Sequence, residues 1–231
     1  MRLCVIPARG GSKRIPRKNI RSFCGRPMIA WSICAARESG LFDQVVVSTD
    51  DPGIAAVSRE WGADVPFARP PELADDHVGT APVVVHAIDW YVEAGEMPGE
   101  VCCLYATAPF VRGADLVAAH AALRESGACF VFTATTFPFP ILRSLTVDAH
   151  GELGPMFPEH IGKRSQDLPE AFHDAGQFYF GDARHWRDNV PMFGPRSRMF
   201  LLPRHRVQDI DTEEDWRRAE WLFRAMQEAG E

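Results

Sequence analysis

From Arg9 to Asn19 the chain reads Arg-Gly-Gly-Ser-Lys-Arg-Ile-Pro-Arg-Lys-Asn, a composition suited to holding a compact anion. Nine Arg and Lys residues precede the first acidic side chain, Glu38. Since the 231-residue chain carries −6 overall, its first 37 residues at +9 leave −15 for the remainder. The positive charge is therefore a local device and not part of a basic surface. Gly10 and Gly11 lack a β-carbon, which lets their backbone N–H groups approach phosphate oxygens. Arg9, Lys13 and Lys18 can neutralise charge, and Ser12 can add a hydrogen bond. The run is neither a Walker A loop nor a dinucleotide fingerprint, so the expected ligand is a small polyanion such as a nucleoside triphosphate.

Two carboxylates near the other end have complementary chemistry. Asp209 and Asp211 flank Ile210, so in extended backbone both carboxylates share one side while Ile210 points inward. Such a pair suits Mg2+, which typically takes one or two carboxylates plus substrate phosphates and keeps several waters. Thr212-Glu-Glu-Asp215 reads as a capping-box start to a helix, which assigns Asp215 to the helix terminus. A third group of candidates follows an apolar run: Tyr105-Ala-Thr107-Ala-Pro-Phe110 offers a hydroxyl and an aromatic face, and Arg143, Lys163 and Arg164 suit a carboxylate ligand. Taken alone, Arg69 reads equally well as an exposed loop arginine. His173 and His205 read as structural histidines, and no general base stands out.

These residues need a scaffold that brings distant segments to one rim. Leu3–Pro7, 45–48, 101–104 and 129–136 read as buried strands, and helical spacing follows Pro27 and recurs over 52–61, 84–92 and 114–124. This alternation predicts a Rossmann-like, doubly wound α/β sheet, mainly parallel, with ligands at the carboxyl ends of the strands. It lapses after Phe137-Pro-Phe-Pro140, where the next fifty residues read as extended pieces, including 141–147 and 177–180. Residues 137–175 are expected to form a lid or dimer arm within one domain spanning 1–231. The apolar pattern resumes at 200–203, and Trp216, Ala219, Phe223 and Met226 mark the buried face of a last helix.

Composition narrows the remaining classes. With 46% hydrophobic and 24% charged residues the chain can bury a full core. No apolar run approaches the roughly 20 residues of a membrane span, and 3–8 is too short and wrongly flanked for a secretion signal, so a cytoplasmic location is expected. The six cysteines show no Cys-x-x-Cys pair and read as reduced, structural thiols. A nucleic-acid module would need a broad basic face with interleaved aromatics, which is missing. A nucleotide sensor without turnover would keep the basic loop but leave Asp209, Asp211 and Tyr105 without purpose.

The string Ile6-Pro-Ala-Arg9-Gly-Gly-Ser-Lys13-Arg-Ile-Pro-Arg-Lys18-Asn19 resembles the signature loop of the CMP-sugar synthetases, cytidylyltransferases that activate sialic acid and related acid sugars with CTP. The resemblance implies the nucleotide-diphospho-sugar transferase type of fold, with Arg9, Ser12, Lys13 and Lys18 on the triphosphate and Asn19 near the ribose. Arg69-Pro-Pro-Glu-Leu-Ala-Asp75-Asp76 resembles the family's cytosine-reading segment, implying that Arg69 and the backbone from Val78 to Thr80 select a pyrimidine. Val207 to Trp216 looks like its metal-binding segment, which implies Mg2+ at Asp209 and Asp211.

The stretch from Arg164 to Phe180, with Tyr105 to Phe110 and Pro203 to Asp211, is similar to pseudaminic acid cytidylyltransferases within that family. The similarity covers nearly the whole chain and implies acceptor contacts from Tyr105, Thr107, Arg164, Gln166 and Gln177. In the sialic acid enzymes a Gln stands at the place of Tyr105, a departure that weighs against sialic acid itself. The implied reaction is transfer of CMP from CTP to the anomeric hydroxyl of a nine-carbon α-keto sugar acid, pseudaminic acid first, with sialic, legionaminic or Kdo-type acids as alternatives. Family likeness also implies a homodimer.

Overall fold

The computed structural model describes residues 1–75 and 78–230; Asp76, in the segment resembling a cytosine reader, lies outside them. In chain order the strands are β1 (Arg2–Pro7), β2 (Ser22–Phe23), β3 (Arg26–Pro27), β4 (Gln44–Ser48), β5 (Glu100–Leu104), β6 (Phe130–Thr136), β7 (Leu145–Val147), β8 (Leu153–Pro155), β9 (Phe172–Asp182) and β10 (Ser197–Leu201). The α-helices are α1 (Met28–Glu38), α2 (Pro52–Glu60), α3 (Thr80–Glu93), α4 (Gly113–Ser126), α5 (Ala183–Arg187) and α6 (Glu213–Glu228).

Six strands form one sheet in the order β10-β6-β9-β5-β1-β4. Strand β1 pairs in parallel with β4 and β5, and β10 in parallel with β6. Leu3, Cys4, Val5 and Ile6 are fully buried, the pattern of a strand covered on both faces. On one face α1, α2 and α4 bring Ile33, Ile54 and Leu116 against Cys4, Ile6 and Val47. On the other, α3 and α5 bring Val84, Ile88 and Trp186 against Leu3, Val5 and Phe130. The cysteines are all free thiols, and Cys4, Cys102, Cys103 and Cys129 belong to this core. Among the described residues no helix is long and apolar enough to cross a membrane.

A third apolar cluster matters most for function. Ile15, in the middle of the basic run, and Ile210, between the two aspartates, are buried together with Phe23, Trp216 and Phe223. The Phe23 ring meets the Trp216 ring edge-on with centroids 5.4 Å apart. Burying each such side chain contributes about 1.5–3 kcal/mol, so hydrophobic contact drags oppositely charged flanks together across nearly two hundred residues of sequence. Helix α6 starts in a capping box: Thr212 Oγ1 accepts from the Asp215 N–H, and the Asp215 carboxylate accepts from the Thr212 N–H. The expected role of Asp215 is thus observed.

The sheet differs from the expectation in one strand. Residues 172–182 form β9, which runs antiparallel between β5 and β6 in the middle of the sheet, so the chain rejoins the sheet at Phe172. Its polar first half, Phe-His-Asp-Ala-Gly-Gln, conceals it in the sequence. A bulge between Phe132 and Ala134 shifts its register against β6, and Gly176 adopts φ +60°, a left-handed conformation that costs glycine little. Thr133 Oγ1 accepts from the N–H groups of Gln177 and Phe178, satisfying the disrupted ladder. The five-residue α5 was not legible from periodicity. Of the 141–147 stretch, 141–143 is a 3-10 turn and only Leu145–Val147 is a strand, paired with β8 outside the main sheet. The apolar pattern that resumes at 200–203 overlaps the end of β10, over Ser197–Leu201.

Candidate active site

The basic loop is held in shape by its own hydrogen bonds. Ser12 Oγ donates to the Ile15 carbonyl at 2.7 Å, and Asn19 Nδ2 to the Arg9 carbonyl at 3.0 Å. The Gly10 N–H donates to Asp50 Oδ1 at 2.9 Å, so this amide is engaged by protein and not presented to a ligand as the sequence led us to expect. Glycine is required there because a β-carbon would lie 2.8 Å from the Asp51 β-carbon. Gly11, by contrast, has open space around the position of a β-carbon.

The loop forms one wall of a cleft of about 550 Å3. Arg9, Ser12, Lys13, Arg14, Lys18 and Asn19 line that wall; Arg69, Leu73, Val78, Gly79, Thr80 and Val83 also line the cleft, and Tyr105 and Thr107 follow the end of β5. Arg69 is not an exposed loop arginine. It is buried, with Nε donating to Ser48 Oγ at 3.1 Å and Nη2 to the Ser48 carbonyl. Desolvation lowers its pKa to about 10, so it keeps its charge at neutral pH.

The acidic segment meets the basic loop. Lys18 Nζ donates to the Ile210 carbonyl at 2.6 Å and to Asp211 Oδ1 at 3.2 Å, and Arg14 pairs with Asp211 Oδ2 at 2.9 Å. Arg21 and Glu213 form a further ion pair. Desolvation, and then the neighbouring Asp211 charge, hold the Asp209 carboxyl above its ordinary pKa, opposed by Lys18. Among the described residues no group of three or more His, Cys, Asp or Glu is placed to hold a metal, so any cation here would rely on ligand oxygens to complete its shell.

Asp209 also lines a second cleft, of about 500 Å3, beyond Tyr105, which is common to both. Its lining includes Thr135 and Thr136 from β6, His173, Asp174 and Tyr179 from β9, Arg204 and Gln208 before α6, and Arg218 on α6. Arg206 fixes the turn that carries these groups: it is buried, forms a bidentate ion pair with Asp115 of α4, and donates to the Phe110 carbonyl at 3.1 Å. His173 Nδ1 lies 2.8 Å from the Asp174 carbonyl, which fixes the tautomer with the proton on Nδ1.

Several residues expected to contact an acceptor lie elsewhere in their own chain. Gln177 is buried, with Nε2 donating to the Arg206 carbonyl at 2.6 Å, and lines neither cleft. Exposed Arg164 pairs with Asp167 at 3.0 Å, while Gln166 lines a separate hollow beside Phe137 and Leu168. Arg143 Nη1 lies 3.4 Å from Ser165 Oγ, and Lys163 Nζ 3.2 Å from His160 Nδ1. Asp174, Tyr179, Arg204 and Arg218 line the second cleft, and the sequence reading singled out none of them. Arg218 carried one usable signal, lying one turn beyond the capping Asp215 and off the buried Trp216–Ala219–Phe223 stripe of α6.

Comparison with known proteins bears on the family and the fold. A family model described as cytidylyltransferase matches residues 3–139. Pseudaminic acid cytidylyltransferase of Campylobacter jejuni subsp. jejuni serotype O:2 is 43% identical over 98% of this chain and 98% of its own. CMP-N,N'-diacetyllegionaminic acid synthase of Legionella pneumophila is 33% identical with the same coverage of both chains. Among solved structures, CMP:2-keto-3-deoxy-manno-octonic acid synthetase complexed with CTP superposes with a TM-score of 0.70 at 17% identity, covering 97% of this chain and 98% of the other.

Proposed function

The chain belongs to the cytidylyltransferase family, and from that premise we propose that it transfers CMP from CTP to the anomeric hydroxyl of pseudaminic acid, releasing pyrophosphate. The observation that carries the reading is the meeting of two clefts, one cationic and one lined by hydroxyls and arginines, at Tyr105 and the Asp209–Asp211 segment. CTP occupies the first, with its triphosphate on Arg9, Ser12, Lys13 and the Gly11 backbone and its pyrimidine toward Arg69 and the Val78–Thr80 edge. The acid sugar occupies the second, its carboxylate toward Arg204 and Arg218.

In the transfer, the anomeric oxygen forms a bond to the α-phosphorus, the bond from that phosphorus to the bridging oxygen of the β-phosphate breaks, and the hydroxyl proton is lost. Positioning and charge neutralisation carry most of such a substitution. Lys18, tied to the Ile210 carbonyl and Asp211, sets the distance between loop and acidic segment. Tyr105 and Thr107 form the rim between the two substrates. Asp209 and Asp211 are the residues that would hold Mg2+. When bound, Mg2+ would supply neutralisation of polyphosphate charge and a lowered pKa for the attacking hydroxyl.

The same reading includes a homodimer in the cytoplasm, with 137–171, shortened from the expected 137–175 because β9 begins at Phe172, as the arm that reaches the partner's acceptor cleft. Phe139, Leu145, Val147 and Leu153 on this arm are exposed, and Arg164 and Gln166 lie outside both clefts of their own subunit. Sedimentation of the purified protein should give a dimer; a monomer at working concentrations contradicts the arm's role. Incubation with CTP, Mg2+ and a panel of acid sugars tests the activity. A CMP-sugar product from pseudaminic acid is expected, and nucleotide binding with no product from any acid sugar would leave a sensor instead.

A further inference from the structure

The proposed transfer releases a proton from the anomeric hydroxyl, and the second cleft holds a group that can take it. Because β9 runs antiparallel between β5 and β6, its first residues lie at the carboxyl ends of those strands, the rim where parallel strands present ligands. Phe178 pairs with Leu104, the last residue of β5, and His173 pairs with Thr135 near the end of β6. His173 thereby enters the lining of the second cleft, and among the described residues it is the only histidine that lines either cleft.

Its ring is held on two sides. Nδ1 donates to the Asp174 carbonyl at 2.8 Å, and the ring meets that of Phe137 edge-on with centroids 4.8 Å apart. A carbonyl only accepts, so the Nδ1 proton is committed and the neutral imidazole carries its lone pair on Nε2. The other polar groups of the cleft are less suited to take a proton. Asp174 accepts from the Gly176 N–H at 2.9 Å and from the Tyr179 hydroxyl at 2.5 Å. Residues 174 and 179 are an odd number apart in β9, and they meet because of the bulge against β6, with Gly176 at positive φ. Burial holds the Tyr105 and Tyr179 hydroxyls above their ordinary pKa. Arg204 and Arg218 are cations, and Asp209 is assigned to Mg2+.

We propose that His173 is the general base of the transfer: Nε2 accepts the proton of the anomeric hydroxyl as its oxygen bonds to the α-phosphorus and pyrophosphate leaves with the electron pair of the broken bond. The inference rests on the reading that the second cleft holds the acid sugar. The imidazolium keeps its Nδ1 bond to the Asp174 carbonyl and returns the proton to solvent, which reaches the half-buried ring. The structural role expected of this histidine is thus carried by Nδ1, while Nε2 does the chemistry. A positioned base of this kind contributes about 10²–10⁴-fold to a rate.

His173→Asn retains an amide donor near the place of Nδ1 and removes Nε2. With CTP, Mg2+ and pseudaminic acid its kcat should fall by about 10²–10⁴-fold, with CTP affinity by calorimetry unchanged. The unsubstituted protein should lose kcat toward acid as Nε2 takes up a proton, and the variant should lack that limb. Asp174 and Tyr179 on β9, Tyr105 after β5, Arg204 and Asp209 before α6, and Arg218 on α6 share the cleft with His173. All of them persist in the variant, so the difference between the two pH profiles reports His173. His173→Ala leaves room for added imidazole, which should raise its rate to a plateau, and this arm carries the test if the Asn variant fails to fold. A kcat close to the unsubstituted value in either variant, an unchanged acid limb in His173→Asn, or no gain from imidazole in His173→Ala would overturn the proposal. Failure of the unsubstituted protein to convert any acid sugar would instead remove the transferase reading itself, an outcome distinct from retained activity in the variants.

Discussion

The two clefts are built in opposite ways. The first cleft, the proposed nucleotide site, takes one wall from a single stretch of chain, 9–19, that folds on itself through Ser12 and Asn19. The second, the proposed acceptor site, is assembled from β6, β9, the 204–209 turn and α6, segments far apart in the sequence. A locally closed loop keeps its shape through short-range bonds. An assembled cleft depends on buried tertiary anchors, and those should be the more fragile.

Substitution at the junction should have the largest effect. Asp211→Asn removes the charge that pairs with Arg14 and Lys18 and one proposed cation ligand, and the rate of pyrophosphate release should fall by about 10²–10³-fold or more with helical content unchanged. A fully active Asn variant would break the account of that junction.

Next is the anchor of the acceptor cleft. Asp115→Ala leaves Arg206 buried and unpaired, which should cost about 3–5 kcal/mol in chemical denaturation. The acceptor KM should rise more than the CTP KM, since Arg206 fixes the turn bearing Arg204 and Gln208. Equal changes in both would erase the difference between a local and an assembled cleft.

A smaller effect with the opposite sign is expected at Asp209. Its carboxyl is raised above the ordinary 3.8 by desolvation and Asp211, so the folded protein holds this proton more tightly than the unfolded chain. The ionised form therefore costs stability above the raised value, and that cost disappears as pH falls through the raised value to 3.8. Asp209→Asn should accordingly melt slightly higher than the unsubstituted protein at neutral pH without nucleotide, lose that advantage in acid, and be inactive. A lower melting point at neutral pH would show that the charge is not crowded.

The contrast also explains what was legible in the sequence. Strands β1, β4, β5 and β6 and helices α1 to α4 followed from continuous apolar runs and helical spacing, and α6 from its cap. The loop could be read because all its chemistry lies within eleven consecutive residues. Strand β9 could not: its first half is polar, its bulge breaks the alternation, and its antiparallel place depends on pairing with strands seventy and forty residues earlier. Asp174 and Tyr179 share a cleft only because of that bulge. Gln177 illustrates the converse: polar and beside the site in sequence, it instead holds the Arg206 carbonyl. Ile210 reads as pointing inward, but that it shares a buried cluster with Ile15 is a tertiary fact.

The central claim is that one cleft takes the nucleotide and the other the acid sugar. Steady-state kinetics of Lys13→Ala and Arg218→Ala, with CTP and pseudaminic acid varied in turn, tests it most directly. Lys13→Ala should raise the KM for CTP by about tenfold and leave the acceptor KM nearly unchanged, and Arg218→Ala should do the reverse. If both variants shift the same KM, the two clefts do not divide the substrates and the account is wrong.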